Sequence, residues 1–165
     1  MKKLQIFIIL FPLLCFSQDK ITVSKGTKDT YIETYQHYSY NDSYSIKEAY
    51  RLGPSSAKLL KDAISTSIKW SKLNEEHEKE FEKEIVRFKV MDKESYKFHG
   101  YVDKFTQEFT LIFRGYEDGI FEVIIKKYDG YEDFIKIDTM SQLVNFQDLL
   151  NGKSANNEID EIFSK

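Results

Sequence analysis

His37, His77 and His99 are the side chains whose ordinary titration lies nearest neutral pH, and each falls in a different part of the chain. His77 opens the run His77-Glu78-Lys79-Glu80-Phe81, which lacks the second histidine of an HExxH zinc signature and so offers at most one ligand. His99 adjoins Gly100 in an expected strand, and His37 lies among tyrosines, so both read as sheet-surface or hydrogen-bonded core residues rather than catalytic bases. No metal site and no cofactor site is expected. Carboxylates form the second group: Glu117, Asp118, Asp129, Glu132 and Asp133 gather at expected hairpin ends, where a pair could in principle run glycoside hydrolysis. Turns attract aspartate for backbone reasons, however, and a calcium loop of alternating acids before a glycine is missing. The chain also lacks a Gly-x-Ser-x-Gly elbow and a glycine-rich phosphate loop.

The third group is aromatic. Tyr31, Tyr35, Tyr38, Tyr40 and Tyr44 fall within fourteen residues, more than one half-buried strand needs. Tyrosine combines contact area with a hydrogen-bonding hydroxyl at low entropic cost, so this segment is the candidate binding face. Packing across a sheet edge is the competing explanation.

The elements that must position these groups follow from periodicity. Ile21 and Val23 alternate before a Gly26 turn, a strand is expected near Thr30 to Tyr38, and Asn41, Asp42 and Ser43 read as a turn. Gly53 and Pro54 punctuate the chain, and Ser55 or Ser56 is placed to cap a helix whose stripe is Ala57, Leu60, Ile64 and Ile68. Because Glu75 would fall in that stripe, the helix should end or kink near Leu73 and Asn74. The acidic run Glu75 to Glu84 then reads as a solvated connection or an extra helical turn.

Beyond it the period becomes two. Ile85 to Val90, Tyr96 to Val102, Phe105 to Phe113 and Ile120 to Lys127 read as strands, with an Asp118-Gly119 turn before the last. Asp129-Gly130 reads as a type I′ hairpin turn that pairs Lys127 with Glu132, Lys126 with Asp133, Ile125 with Phe134 and Ile124 with Ile135. Asp138 or Thr139 caps a second helix with Met140, Leu143, Val144, Phe146 and Leu150 on one arc, closed by Asn151-Gly152. The expected fold is α+β: an antiparallel meander of four or five strands packed against an N-terminal and a C-terminal amphipathic helix.

The chain opens with Lys2 and Lys3, an apolar run from Leu4 to Phe16 and a polar turn at Ser17 and Gln18, the profile of a cleaved bacterial signal peptide. Thirteen residues are too few to span a bilayer as a helix, and the small residues Cys15 and Ser17 suit a cut after Ser17. Lipid attachment at Cys15 is disfavoured because Leu14 stands where a small residue is needed. The expected organisation is a signal peptide over 1–17, one α+β domain over 18–152 and a polar tail over 153–165, with no membrane anchor after cleavage.

Loss of residues 1–17 removes two lysines and no acid, leaving 22 Lys plus Arg against 27 Asp plus Glu, a formal charge of −5. That balance and the lack of a basic run argue against nucleic acid or an anionic membrane surface as partner. Cys15 is the only cysteine, so the mature chain would lack disulfides, thiolate nucleophiles and cysteine zinc sites. Together these observations point to a periplasmic or secreted binding or interaction protein without catalytic activity, its partner another envelope or secreted protein or a glycan. The alternative is a small exported hydrolase using the carboxylates at the hairpin ends.

Overall fold

The computed structural model describes residues 20–153. The expected signal segment, its cut, Cys15 and the tail from 154 onward lie outside the described residues. Seven strands, β1 (Lys20–Lys25), β2 (Thr30–Tyr38), β3 (Ser43–Leu52), β4 (Phe81–Asp92), β5 (Gln107–Gly115), β6 (Phe121–Lys127) and β7 (Asp133–Ile137), form an antiparallel sheet in sequence order. Helix α1 (Pro54–His77) joins β3 to β4, α2 (Lys93–His99) and a short 3-10 turn (Asp103–Phe105) join β4 to β5, and α3 (Met140–Asn151) follows β7.

The fold is thus α+β, but the meander has seven strands rather than four or five, and the first long helix follows three strands instead of preceding the sheet. Strand β3 has no counterpart in the sequence reading. Its first half, Ser43 to Lys47, has no buried side chain, so no apolar alternation marks it. The sheet also has a seam. Strands β3 and β4 pair only at Tyr50↔Asp92 and Arg51↔Met91, whereas β4 and β5 pair along most of their length. A three-stranded wing, β1 to β3, therefore stands beside the four-stranded body, β4 to β7.

Period-two alternation sends Phe109, Leu111 and Phe113 of β5, Phe121, Val123 and Ile125 of β6, and Ile137 of β7 toward the helices. Leu60 and Ile64 of α1 and Leu143, Phe146 and Leu150 of α3 close the core against them. Val144, expected on the α3 arc, is exposed instead. Tyr50 carries the wing into this core: its ring lies 4.8 Å from Phe109 and 4.9 Å from Phe134, centroid to centroid. Burial, then the negative charge of Glu48, pushes its hydroxyl pKa up to about 12.

Four local expectations are corrected. Residues 96–99 are helical, not the start of a strand, because Asp92 caps α2: one carboxylate oxygen accepts from the Ser95 N–H and the other from its hydroxyl, each at 2.8 Å. Neither Ser55 nor Ser56 caps α1. Gly53 is the N-cap residue with Pro54 at the first helical position, and the buried Ser56 hydroxyl accepts instead from the Lys89 N–H at 3.1 Å. Helix α1 runs on to His77, since its buried line passes through Ser67, Ser71 and Asn74 and leaves Glu75 exposed.

The fourth concerns the β6–β7 hairpin. The Gly130 N–H donates to Lys127 O at 3.0 Å, so Tyr128 and Asp129 are the central turn residues, and Gly130 has no left-handed φ. A type I′ turn is excluded, because both its central residues need positive φ. Lys126↔Asp133 pairs as expected, but a bulge shifts the rest, so Ile125 faces Ile135 and Ile124 faces Lys136. The Thr139 cap and the left-handed Gly152 of α3 match their expectations.

Candidate functional site

Alternation along β2 sends Thr30, Ile32 and Thr34 to the core and Tyr31, Glu33, Tyr35 and His37 to the outer face of the wing. The β3 register adds Arg51 beside Tyr31, Ile46 beside Tyr35 and Tyr44 beside His37. Tyr31, Tyr35 and Tyr44 thus share one face. Tyr38 points to the other side of β2, and Tyr40 lies in the turn that follows, its ring 5.9 Å from that of Tyr38. Tyr38, Tyr40 and Tyr44 are 37%, 82% and 53% exposed, while Tyr31 and Tyr35 are half-buried.

At the seam end of this face the Arg51 guanidinium is held between two rings, 4.5 Å from the Tyr31 centroid and 3.9 Å from that of Tyr96 on α2. Its Nη1 donates to Asp29 Oδ2 at 2.7 Å. Burial, then the Glu33 charge, raises the Tyr31 pKa. Tyr35 is raised chiefly by the hydrogen bond it donates to Glu33 at 2.8 Å, with burial second. Both phenols therefore stay protonated and act as hydroxyl donors on apolar rings. At the free end, His37 Nε2 and Asp42 Oδ1 lie 2.9 Å apart, and the His37 ring packs 4.9 Å from that of Tyr44.

Arg51, Tyr96, Asp29 and Ile46 were not among the expected site residues. Arg51 and Ile46 could have been found from their two-residue spacing relative to Tyr44 and Ala49 only once β3 was recognised as a strand. Tyr96 was hidden because its segment is helical.

The other chemical candidates do not converge. His99 stacks on Phe105 at 4.1 Å, His77 lies in the last turn of α1, and no group of three metal-ligating side chains occurs among the described residues. Glu117 and Asp118 lie in the β5–β6 turn and Asp129, Glu132 and Asp133 beyond the far end of β6. Seven strand residues separate them, roughly 20 Å, which is beyond the spacing of a glycosidase carboxylate pair. Asp118 has a turn role, accepting from the Ile120 N–H at 3.1 Å.

No family model, no curated protein and no solved structure matches the chain.

Proposed function

We propose that the chain is an exported binding protein without catalytic activity of its own, and that the outer face and free edge of the wing receive a protein partner from the envelope or secretome. One observation carries this reading: β3 meets β4 only at Tyr50 and Arg51, so among the described residues no strand pairs with the β4-side edge from Ser43 to Ile46, while Tyr44 and Ile46 on it are 53% and 46% exposed. Such an edge offers backbone donors and acceptors to an incoming strand, and flanking apolar side chains supply the specificity. A glycan has no matching ladder, which favours a protein partner. Export rests on the apolar run from Leu4 to Phe16 behind two lysines. The hydrolase alternative gains nothing from carboxylates divided between two ends of a strand.

A photo-crosslinking residue at position 46, in the envelope of the producing bacterium, tests the reading against one at the exposed Asp62 on α1. A single protein captured from position 46 alone, and lost with Tyr44→Ala, supports it. Equal capture from both positions, or retention of glycan only, overturns it.

A further inference from the structure

Where α1 ends and β4 begins, an open cleft of about 340 Å³ is lined by Trp70, Leu73, Asn74, His77, Lys79, Phe81 and Lys83. It adjoins the core, since the Trp70 ring meets Phe81 at 6.1 Å and Phe113 at 5.7 Å. The charge pattern around it is sorted by the strand. At the start of β4, alternate residues point to opposite faces, so Phe81 and Lys83 line the cleft and Glu82 and Glu84 do not; just ahead of the strand Lys79 lines it and Glu80 does not. On the outer face Glu82 accepts from Arg114 at 2.6 and 2.9 Å, and Glu84 accepts from Arg87 at 2.7 Å.

The cleft of a protein with a carboxylate excess is therefore walled by aromatic and aliphatic side chains beside the Asn74 amide, and among the described residues two lysines and a histidine line it and no carboxylate does. Its volume falls at the small end of the range for small-molecule sites, and a few polar groups around an apolar wall are what such sites carry. The geometry points to a binding site for a small amphipathic carboxylate, its apolar body against Trp70, Leu73 and Phe81 and its head between Lys79 and Lys83. Charge complementarity selects the head, because a lysine–carboxylate contact is a charge-assisted hydrogen bond whereas a cation would meet two like charges. Lys83 Nζ already lies 5.2 Å from the Trp70 ring centroid, which places the cation beside the apolar wall.

Trp70 is the only tryptophan of the chain, so its fluorescence reports this cleft directly. Titrating the full chain with decanoate below micelle formation should give a saturable change, and decyltrimethylammonium, with the same chain and the opposite charge, should not. Lys79 and Lys83 are both exposed, so K79Q with K83Q should leave the circular dichroism unchanged and weaken decanoate binding about tenfold or more. Y44A should bind decanoate like the wild type, which separates this site from the wing. No saturable response, an equal response to the cation, or undiminished binding by the double lysine variant overturns the assignment.

Discussion

The Arg51 guanidinium on β3 lies 3.9 Å from the ring centroid of Tyr96 on α2, and this stack ties the helix to the wing just where the two halves of the sheet meet. Tyr31 covers the other side at 4.5 Å, and Asp29, whose side chain is only 7% exposed, takes Nη1. Removing Tyr96 deletes one side of the stack, a loss of about 1 kcal/mol. Arg51→Ala also strands the buried Asp29 carboxylate, which raises the cost to about 3 kcal/mol. Urea denaturation should rank Tyr96→Ala well above Arg51→Ala in stability. Equal midpoints would mean that the ion pair contributes nothing.

Asn74 does for the body what Arg51 does for the seam. Buried in the last turns of α1, it donates through Nδ2 to Tyr116 O and Ile120 O, each at 3.0 Å, and accepts from the Lys79 N–H at 3.2 Å. One amide thereby joins the helix, the β5–β6 turn and the approach to β4. Asn74→Ala should cost about 1 to 3 kcal/mol, because both carbonyls keep a second donor within the turn. Asn74→Asp should be worse at pH 7, since an ionised carboxylate cannot donate to two carbonyls. Burial raises the pKa of an acid there, so its penalty grows as pH rises through the carboxylate range and is smallest below it. Thermal melts of both variants at pH 3.5 and 7 check the order at neutral pH and the narrowing of the Asn74→Asp penalty in acid.

These two anchors also mark the limit of what the amino-acid order disclosed. Strands β2, β5 and β6 and helix α3 announce themselves, because each has one face in the core and its caps or turns use ordinary chemistry. Strand β3 is half outside the core and α2 has no buried residue, so neither carries a period tied to burial. Asn74 ends the α1 stripe with an amide whose partners lie more than forty residues away. Only tertiary structure brings them together. The cleft had a legible sign in the alternation of Lys79, Phe81 and Lys83 with glutamates, which an acidic run of uniform polarity conceals. The tyrosines were visible as a cluster, but which of them share a face depended on the register of β2 with β3.

Glu122 joins three partners on the outer face of the body: Arg114 Nη1 at 3.2 Å, the Tyr116 hydroxyl at 2.8 Å and the Lys136 ammonium. Burial pushes its carboxyl up, but the Lys136 and Tyr116 hydrogen bonds and the nearby positive charges outweigh it and hold the pKa below the usual value. A depressed carboxylate contributes stability that is present above its unfolded pKa and lost as pH falls through the folded one. Glu122→Gln should therefore lower Tm at pH 7, and the gap from wild type should narrow as pH falls below the ordinary carboxylate range. A gap independent of pH would assign the effect to packing.

Two turn glycines should respond differently to alanine. Gly119 has φ +79°, and an added Cβ would stand 3.3 Å from the Glu75 Cα, so Gly119→Ala should cost about 1 kcal/mol or more. Gly130 lies outside the left-handed region, and its added Cβ would meet Lys127 Cβ at 3.0 Å, a contact relieved by a shift of a few tenths of an ångström in the turn without backbone strain at Gly130 itself. Gly130→Ala should lose less. Parallel calorimetry of the two variants decides between this turn and a type I′ turn, in which Gly130 would be the costlier site.

The tyrosines divide into a packed and a presented set, and truncation separates them. Tyr31 lies against Arg51 and donates its ring to the seam, so Tyr31→Ala removes a stacking partner and opens space beside a half-buried guanidinium. Such a loss should cost about 1 to 3 kcal/mol. Tyr44 touches His37 but is 53% exposed, and Tyr40 is 82% exposed, so truncating either should change stability by less than about 0.5 kcal/mol. If the outer face receives a partner, Tyr44→Ala should nevertheless abolish the crosslink from position 46, because an exposed aromatic beside a free edge contributes to a complex rather than to the fold. Tyr40→Ala supplies the contrast: it is the more exposed of the two but lies in the turn beyond β2, off the shared face. Retained crosslinking in Tyr40→Ala with loss in Tyr44→Ala, both at wild-type Tm, locates the contact on the β3 side. Destabilisation in Tyr44→Ala without any change in capture would reduce that tyrosine to sheet packing.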